Sequence, residues 1–139
     1  MPMTIEVTQL TGARPISVVV LVGELDASNY ERLIEVVGQE WDAGARGLVM
    51  DLAGLAFMAS SGLVALYAAA RIFRGEGAPD LEAGWQVIHD LEDETGAAAN
   101  VRLAGIQAPI ERVLQRTGLN RMFPIDPSAE VAADNLRGE

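Results

Sequence analysis

The chain has 139 residues, half of them hydrophobic, with ten basic and twenty acidic side chains and no cysteine. This composition fits a single domain over residues 1–139 that needs no disulfide, and the net charge of −10 disfavours direct binding to nucleic acid or anionic lipid. No apolar run approaches the roughly 18 residues that span a bilayer, and the first residues lack the basic start of a signal peptide. We therefore expect a cytoplasmic protein without membrane insertion.

Alternating apolar runs and amphipathic stretches predict a mixed α/β fold. We expect strands near 5–10, 16–22, 46–52, 100–104 and 122–125, and helices near 27–42, 61–74, 108–117 and 127–135. The loop at 11–15 contains Gly and Pro, which predicts a hairpin between the first two strands. Helices separate the later strands, which should pair in parallel through right-handed crossovers. The expected result is a mixed sheet of about five strands with helices packed mainly on one face.

The first predicted helix carries an apolar stripe at intervals of three and four residues, formed by Tyr30, Leu33, Ile34, Val37 and Trp41. Such a stripe is typical of a helix that faces a core. Trp41 is then a packing residue, and a ligand platform is the less favoured alternative. Asp26 and Ser28, just before the stripe, are the expected N-cap residues.

Two serines follow the third predicted strand where a helical pattern begins. The apolar run at 47–52 is typical of a buried strand, and the spacing becomes helical at Leu63, Leu66 and Tyr67. Ser60 or Ser61 would then lie at a helix N-terminus, where free N–H groups and the helix dipole stabilise a negative charge. A phosphate attached there would be held by the backbone. The simpler interpretation of such a serine is an N-cap.

Three segments carry a family resemblance. They read Gly-Glu-Leu-Asp at 23–26, Phe-Met-Ala-Ser-Ser-Gly-Leu at 57–63, and Val-Arg-Leu-Ala-Gly-Ile at 101–106, the last followed by a helical pattern at 109–119. In this order they resemble the STAS domain, the family of anti-sigma factor antagonists and of the cytoplasmic domains of sulfate transporters. The resemblance covers about residues 5–74 and 99–135, and it implies the same mixed sheet.

The resemblance also implies a phosphorylation site. In the antagonists the second motif usually reads Phe-Met-Asp-Ser-Ser/Thr-Gly, and a partner kinase phosphorylates the serine after the aspartate. Matched position by position, Ser60 is the acceptor, Ser61 is the second hydroxyl and a minor candidate acceptor, and Ala59 stands where the aspartate usually is. The implied partner surface comprises Glu24, Asp26, Met58, Ala59, Ser60, Ser61 and Gly62.

The implied partner is an anti-sigma factor, a serine kinase of histidine-kinase-like ATPase fold, which would bring the ATP and magnesium. The chain itself would then hold no cofactor. Helix N-termini at one edge of a parallel sheet lie close together, so a phosphate on Ser60 would meet the negative field of Asp26 and Glu24 and expel the partner. The alternative is an unphosphorylated STAS module that binds a protein or a small ligand in a stressosome-like or transporter-associated assembly. Ala59 and a predicted inserted helix at about 75–98 favour this alternative.

Residues 75–98 depart from the family pattern and predict an inserted acidic amphipathic helix. Asp80 can cap this helix, Gly96 can end it, and one apolar face would comprise Leu81, Trp85, Ile88 and Leu91. Seven acids and no arginine or lysine fall in this insertion: Glu76, Asp80, Glu82, Asp90, Glu92, Asp93 and Glu94. The simpler interpretation packs the apolar face on the domain. The alternative is a docking element for a basic partner or for a second copy of the chain, which would form a homodimer.

The sequence offers little for catalysis. Ser60 on a strand-to-helix turn resembles a hydrolase nucleophile elbow, but Met58 occupies the position that needs glycine and the one histidine, His89, falls in the insertion. The chain has no lysine for a phosphate-binding loop or a Schiff base. With one histidine and no cysteine we expect no metal site. The sequence therefore predicts a binding protein rather than an enzyme.

Overall fold

The computed structural model describes residues 3–78 and 100–138. Within these residues the strands are β1 (Thr4–Leu10), β2 (Ile16–Leu25), β3 (Gly47–Met58), β4 (Val101–Ala104) and β5 (Ile125–Asp126). The helices are α1 (Tyr30–Asp42), α2 (Ser60–Ile72), α3 (Ala108–Thr117) and α4 (Ala129–Arg137), with a 3₁₀ helix at Leu119–Arg121. No helix in this part of the chain is long and apolar enough to cross a bilayer.

The strands form one sheet in the order β1-β2-β3-β4-β5. β1 pairs antiparallel with β2, with Leu10 opposite Ile16 next to the connecting loop. β3 pairs parallel with β2 and with β4, and β5 pairs parallel with β4. The predicted hairpin, the parallel crossovers and the mixed five-stranded sheet are confirmed.

Helices cover both faces of the sheet unequally. Alternate residues of the central strands, including Val19, Leu21, Leu48 and Met50, form the main core with α1, α2 and α3. The intervening residues pack under α4 in a smaller cluster, which comprises Ile16, Val18, Val49 and Ala104 of the sheet and Ala132, Ala133 and Leu136 of α4. Three helices therefore lie on one face and α4 lies on the other, as the prediction of helices mainly on one face requires.

The stripe on α1 faces the core as predicted. Leu33, Ile34 and Val37 are buried, and Tyr30 and Trp41 pack partly buried against the same cluster. The Trp41 ring meets Phe73 edge-on, with 5.4 Å between ring centroids. The guanidinium of Arg46 lies 3.7 Å above the centroid of the Trp41 ring. Trp41 is therefore a packing residue at the edge of the main core.

β3 extends to Met58, whereas the sequence predicted its end near residue 52. The register shifts twice, because Val20 pairs with Asp51 but Val22 pairs with Gly54, and Gly23 pairs with Leu55 but Glu24 pairs with Phe57. Each shift places an extra residue in β3, which is a β-bulge. The bulges break the period-two pattern over 53–58, so the prediction ended the strand too early.

The C-terminal elements also lie later than predicted. The sequence placed the last strand at 122–125 and the last helix at 127–135, but β5 is Ile125–Asp126 and α4 is Ala129–Arg137. Residues 119–121 form a 3₁₀ helix that carries Met122 and Phe123 into the main core. The hydroxyl of Ser128 caps α4, since it accepts a hydrogen bond from the Val131 N–H at 3.3 Å.

The predicted inserted helix, which begins at Asp80, lies outside the described residues, and only residues 75–78 of the insertion are described. Glu76 is exposed and forms an ion pair with Arg74, with 2.7 Å between Nε and Oε2. Phe73 and Asn100, which flank the insertion, meet at the amino end of the strands, because the Asn100 side chain donates to the Phe73 carbonyl at 3.0 Å. Asn100 precedes β4, so the insertion leaves and re-enters the domain at the edge opposite the carboxyl ends of β2 and β3.

Candidate functional site

The carboxyl ends of β2 and β3 bring together the two motifs that the sequence singled out. Leu25 is paired with Met58, and the Ala59 N–H donates to the Leu25 carbonyl at 2.9 Å. Ala59 has extended backbone angles (φ −79°, ψ 172°), and Ser60 is the first residue of α2. The predicted helix N-terminus at the serine pair is confirmed.

The two serines differ in accessibility. Ser60 is exposed, whereas the Ser61 hydroxyl oxygen is buried and has no hydrogen-bond partner among the described residues. No side chain caps α2, and the Gly62 N–H donates to the Ala59 carbonyl at 2.9 Å. The prediction that Ser61 serves as a cap is therefore wrong, because its hydroxyl points into the packed interior. Of the two serines, Ser60 is therefore the accessible one.

Asp26 closes a turn just beyond β2. Its carboxylate accepts hydrogen bonds from the Ser28 hydroxyl at 2.5 Å and from the Ser28 N–H at 2.9 Å. These two bonds, the hydroxyl first, hold the pKa of Asp26 below its ordinary value. The Asp26 N–H donates to the Asn29 side chain at 2.9 Å, and that side chain donates to the Glu24 carbonyl at 2.8 Å. Asp26 therefore presents a carboxylate that is ionised at neutral pH.

The prediction that Asp26 and Ser28 are the N-caps of α1 is also wrong. α1 begins at Tyr30 with Asn29 at the N-cap position, and no side chain caps it. The side chains of Asp26 and Asn29 are already used by the turn at 26–29, which replaces the first helical turn predicted from residue 27. Asp26 and Ser28 thus stabilise the turn that leads into the helix rather than the helix itself.

Apolar side chains are exposed beside the serine turn. Glu24 is paired with Phe57 across β2 and β3, and Phe57 is 49% exposed. Val22 on β2 is 48% exposed. Phe57 and Val22 both belong to apolar runs, so their exposure was not predicted from the sequence. α4 packs over the amino half of these strands, on Val18 and Val49, and leaves their carboxyl ends open.

The predicted partner surface therefore has an exposed part and a buried part. Ser60 is exposed, and Glu24, Asp26 and Ala59 are half-buried at the same edge. Met58 and Gly62 are buried beneath the turn and support it from below. This edge of the sheet therefore combines an exposed serine at a helix N-terminus with carboxylates and exposed apolar side chains.

A model of the STAS domain family matches residues 4–79, which cover β1 through α2 and the serine turn. The chain belongs to the STAS domain family. Among curated proteins, none matches this sequence.

Solved structures share the STAS fold over nearly the whole chain. An anti-sigma factor antagonist from Mycobacterium paratuberculosis is 21% identical with a TM-score of 0.66, and the match covers 98% of this chain and 95% of that one. The Bacillus cell fate determinant SpoIIAA in its phosphorylated form is 20% identical with a TM-score of 0.55, covering 95% and 100%. Unphosphorylated SpoIIAA is 18% identical with a TM-score of 0.53, covering 96% and 100%. These likenesses confirm the fold.

Gly62 permits the close approach of α2 to the strand ends of this STAS domain. A Cβ atom at Gly62 would collide with Met58 Cγ and would lie 3.0 Å from Leu25 Cδ2. Gly62→Ala is expected to destabilise the domain by about 1–3 kcal/mol, despite the better helix propensity of alanine, because the buried turn is overpacked. Urea unfolding followed by circular dichroism measures this loss.

Gly38 in α1 is the matched control, since a Cβ there would meet nothing within 4 Å. Gly38→Ala should stabilise the domain by about 0.5–1 kcal/mol through helix propensity alone. If Gly62→Ala were as stable as Gly38→Ala, the close packing of α2 on Met58 would be contradicted.

Ala59 leaves the N-terminus of α2 without a side-chain cap. Its extended backbone is the conformation in which an aspartate or asparagine oxygen can accept from the N–H two or three residues later. Ala59→Asp and Ala59→Asn are both expected to stabilise the domain by about 1 kcal/mol in urea unfolding. A different result would be that Ala59→Asp raises the free energy of unfolding only at low salt and Ala59→Asn does not raise it. That result would show that the aspartate charge interacts with the helix dipole without forming a capping hydrogen bond.

Proposed function

We propose that this STAS domain is an anti-sigma factor antagonist, whose binding to an anti-sigma factor is switched by phosphorylation of Ser60. The observation that carries the proposal is the exposed Ser60 at the first position of α2, beside the carboxyl ends of β2 and β3. Structures that share the fold include two proteins described as anti-sigma factor antagonists, and one of these, SpoIIAA, is known in phosphorylated and unphosphorylated forms.

The proposed switch is electrostatic. A phosphate on Ser60 adds about −1.5 to −2 charges at neutral pH. The free N–H groups at the start of α2 would stabilise it. The same phosphate would place its charge beside the Asp26 and Glu24 carboxylates, next to the exposed Phe57 and Val22 side chains. A partner that docks on this mixed apolar and acidic surface would then meet a hydrated, doubly charged group.

The kinase in this proposal is the anti-sigma factor itself, a serine kinase of histidine-kinase-like ATPase fold that brings ATP and magnesium in the cytoplasm. The STAS chain acts as substrate and binding module, as one domain with an insertion at about 75–98. The buried Ser61 hydroxyl favours Ser60 as the acceptor. Regulation of sigma-factor-dependent transcription would follow, because the bound anti-sigma factor no longer holds its sigma factor.

Ala59 supports a second candidate function. The residue before Ser60 carries no carboxylate, where the antagonist motif usually has an aspartate. In this second function the same surface holds a protein partner or a ligand without being phosphorylated, in a stressosome-like or transporter-associated assembly.

Recovery of the chain from its native cells separates the two functions. The chain would be isolated with its bound proteins and analysed by intact-mass and peptide mass spectrometry. A phosphate on Ser60 together with a bound ATPase-fold kinase supports the antagonist. An unmodified chain bound to a scaffold or transporter component contradicts it and supports the second function.

A further inference from the structure

The topology leaves a groove on the α4 face of the sheet. α4 packs against β2, β3, β4 and β5, while β1 lies at the edge of the sheet beyond β2. Between α4 and β1 there is an open groove of about 520 Å³. It is separate from the serine turn, since no residue from 57 to 62 lines it.

The groove has an apolar floor and an acidic rim. Leu10, Val18 and Val20 form the floor, and Ala129 and Ala133 of α4 form one wall. The charged residues that line it are Asp51, Glu130, Asp134 and Arg137. Three carboxylates therefore face one guanidinium, and that guanidinium is already paired with Asp134, with 3.7 Å between Nη1 and Oδ1.

The carboxylates are spread along the groove rather than gathered at one point. Glu130 and Asp134 are four residues apart on α4, which places them one turn apart on the same side of the helix. Asp51 lines the groove from β3. This spacing suits several cationic side chains carried by one extended chain better than a single small cation.

We propose that this groove binds a basic amphipathic segment of a partner polypeptide. Apolar side chains of the segment would lie on Val18 and Val20, while its arginine or lysine side chains would reach Asp51 and Glu130. Charge complementarity favours a basic segment, because the rim of the groove is acidic and the whole chain carries a net charge of −10. The proposal is independent of the phosphorylation of Ser60, since Ser60 lies outside the groove.

The test is an NMR titration of the ¹⁵N-labelled full chain with a short blocked peptide of alternating arginine and leucine. Shift changes are expected at Leu10, Val18 and Ala133. The double variant Asp51→Asn, Glu130→Gln should weaken binding about fivefold or more. The matched control is Glu31→Gln, Glu35→Gln, which removes the same charge from the exposed side of α1 and should leave binding unchanged.

Five outcomes would overturn the proposal. Equal weakening by both double variants would show non-specific attraction to an acidic protein. Shift changes confined to residues outside the groove would place the peptide elsewhere. Equal binding of an arginine–serine peptide would show that the apolar floor does not contribute to binding. Equal binding of free arginine amide would show that an extended chain is not needed. Equal weakening by Ser60→Asp would show that the groove and the serine turn are one site.

Discussion

Ser60→Asp is expected to weaken binding of the anti-sigma factor about tenfold or more, which corresponds to about 1.4 kcal/mol. The substitution places a permanent carboxylate at the exposed first residue of α2, beside Asp26, whose own carboxylate is ionised at neutral pH. A partner surface that accommodates the neutral hydroxyl would have to desolvate this added charge. Isothermal titration calorimetry with the copurified partner measures the change.

Ser60→Asn is the matched control, because it has the shape of aspartate without the charge. Ser60→Asn and Ser60→Ala should both bind about as well as the unmodified chain, and Ser60→Ala should remain bound in the presence of ATP. Ser61→Ala should still be phosphorylated and released, since its hydroxyl is buried. Equal affinity of the aspartate and alanine variants would contradict the switch, and release of Ser60→Ala by ATP would place the acceptor elsewhere.

The predictable part of the fold is the part set by local signals. The apolar stripe predicted which face of α1 is buried, and the Gly and Pro in the loop at 11–15 predicted the hairpin of β1 and β2. The change from a continuous apolar run to helical spacing predicted a helix start at Ser60 or Ser61, and α2 begins at Ser60. Each of these depends on neighbours in sequence, and so the pattern is visible in one chain.

The parts that sequence reasoning missed depend on contacts between distant residues. The bulges that extend β3 to Met58 arise from pairing with β2, and they cannot be read from β3 alone. The exposure of Phe57 depends on how far α4 reaches across the sheet. The Ser61 hydroxyl is buried by packing that an N-cap rule does not include. The position of the serine pair at a helix N-terminus was therefore predicted, while the exposure of the side chains around it was not.

A buried ion pair, also missed by the sequence analysis, joins the C-terminal elements to the sheet. The Arg102 guanidinium donates to both carboxylate oxygens of Asp126, with Nε–Oδ2 at 2.6 Å and Nη2–Oδ1 at 3.1 Å. The side chains are only 14% and 7% exposed, and Asn135 of α4 donates to the same carboxylate at 2.8 Å. The hydrogen bonds from Arg102 hold the pKa of Asp126 below its ordinary value, although burial acts in the opposite direction.

Arg102→Met is expected to destabilise the domain by about 3–5 kcal/mol at pH 7, because it leaves the buried Asp126 carboxylate without its cation. A lowered pKa in the folded state contributes stability above the ordinary carboxyl pKa of about 3.9 and loses it as the pH falls through the folded value. In Arg102→Met the unpaired carboxyl is instead easier to protonate in the folded state. The difference in unfolding free energy between the unsubstituted chain and Arg102→Met should therefore shrink as the pH falls from about 6 to about 3. Urea unfolding measured across that pH range tests this.

The double variant Arg102→Met, Asp126→Leu separates the loss of the pair from the burial of a lone charge. Replacing both partners with apolar side chains leaves no unpaired charge, so this variant should be more stable than Arg102→Met alone at pH 7. Its stability should also lose the pH dependence that Asp126 contributes. If Arg102→Met had the same deficit at pH 3 as at pH 7, the cost would come from lost packing of the arginine stem, and the electrostatic role of the pair would be contradicted.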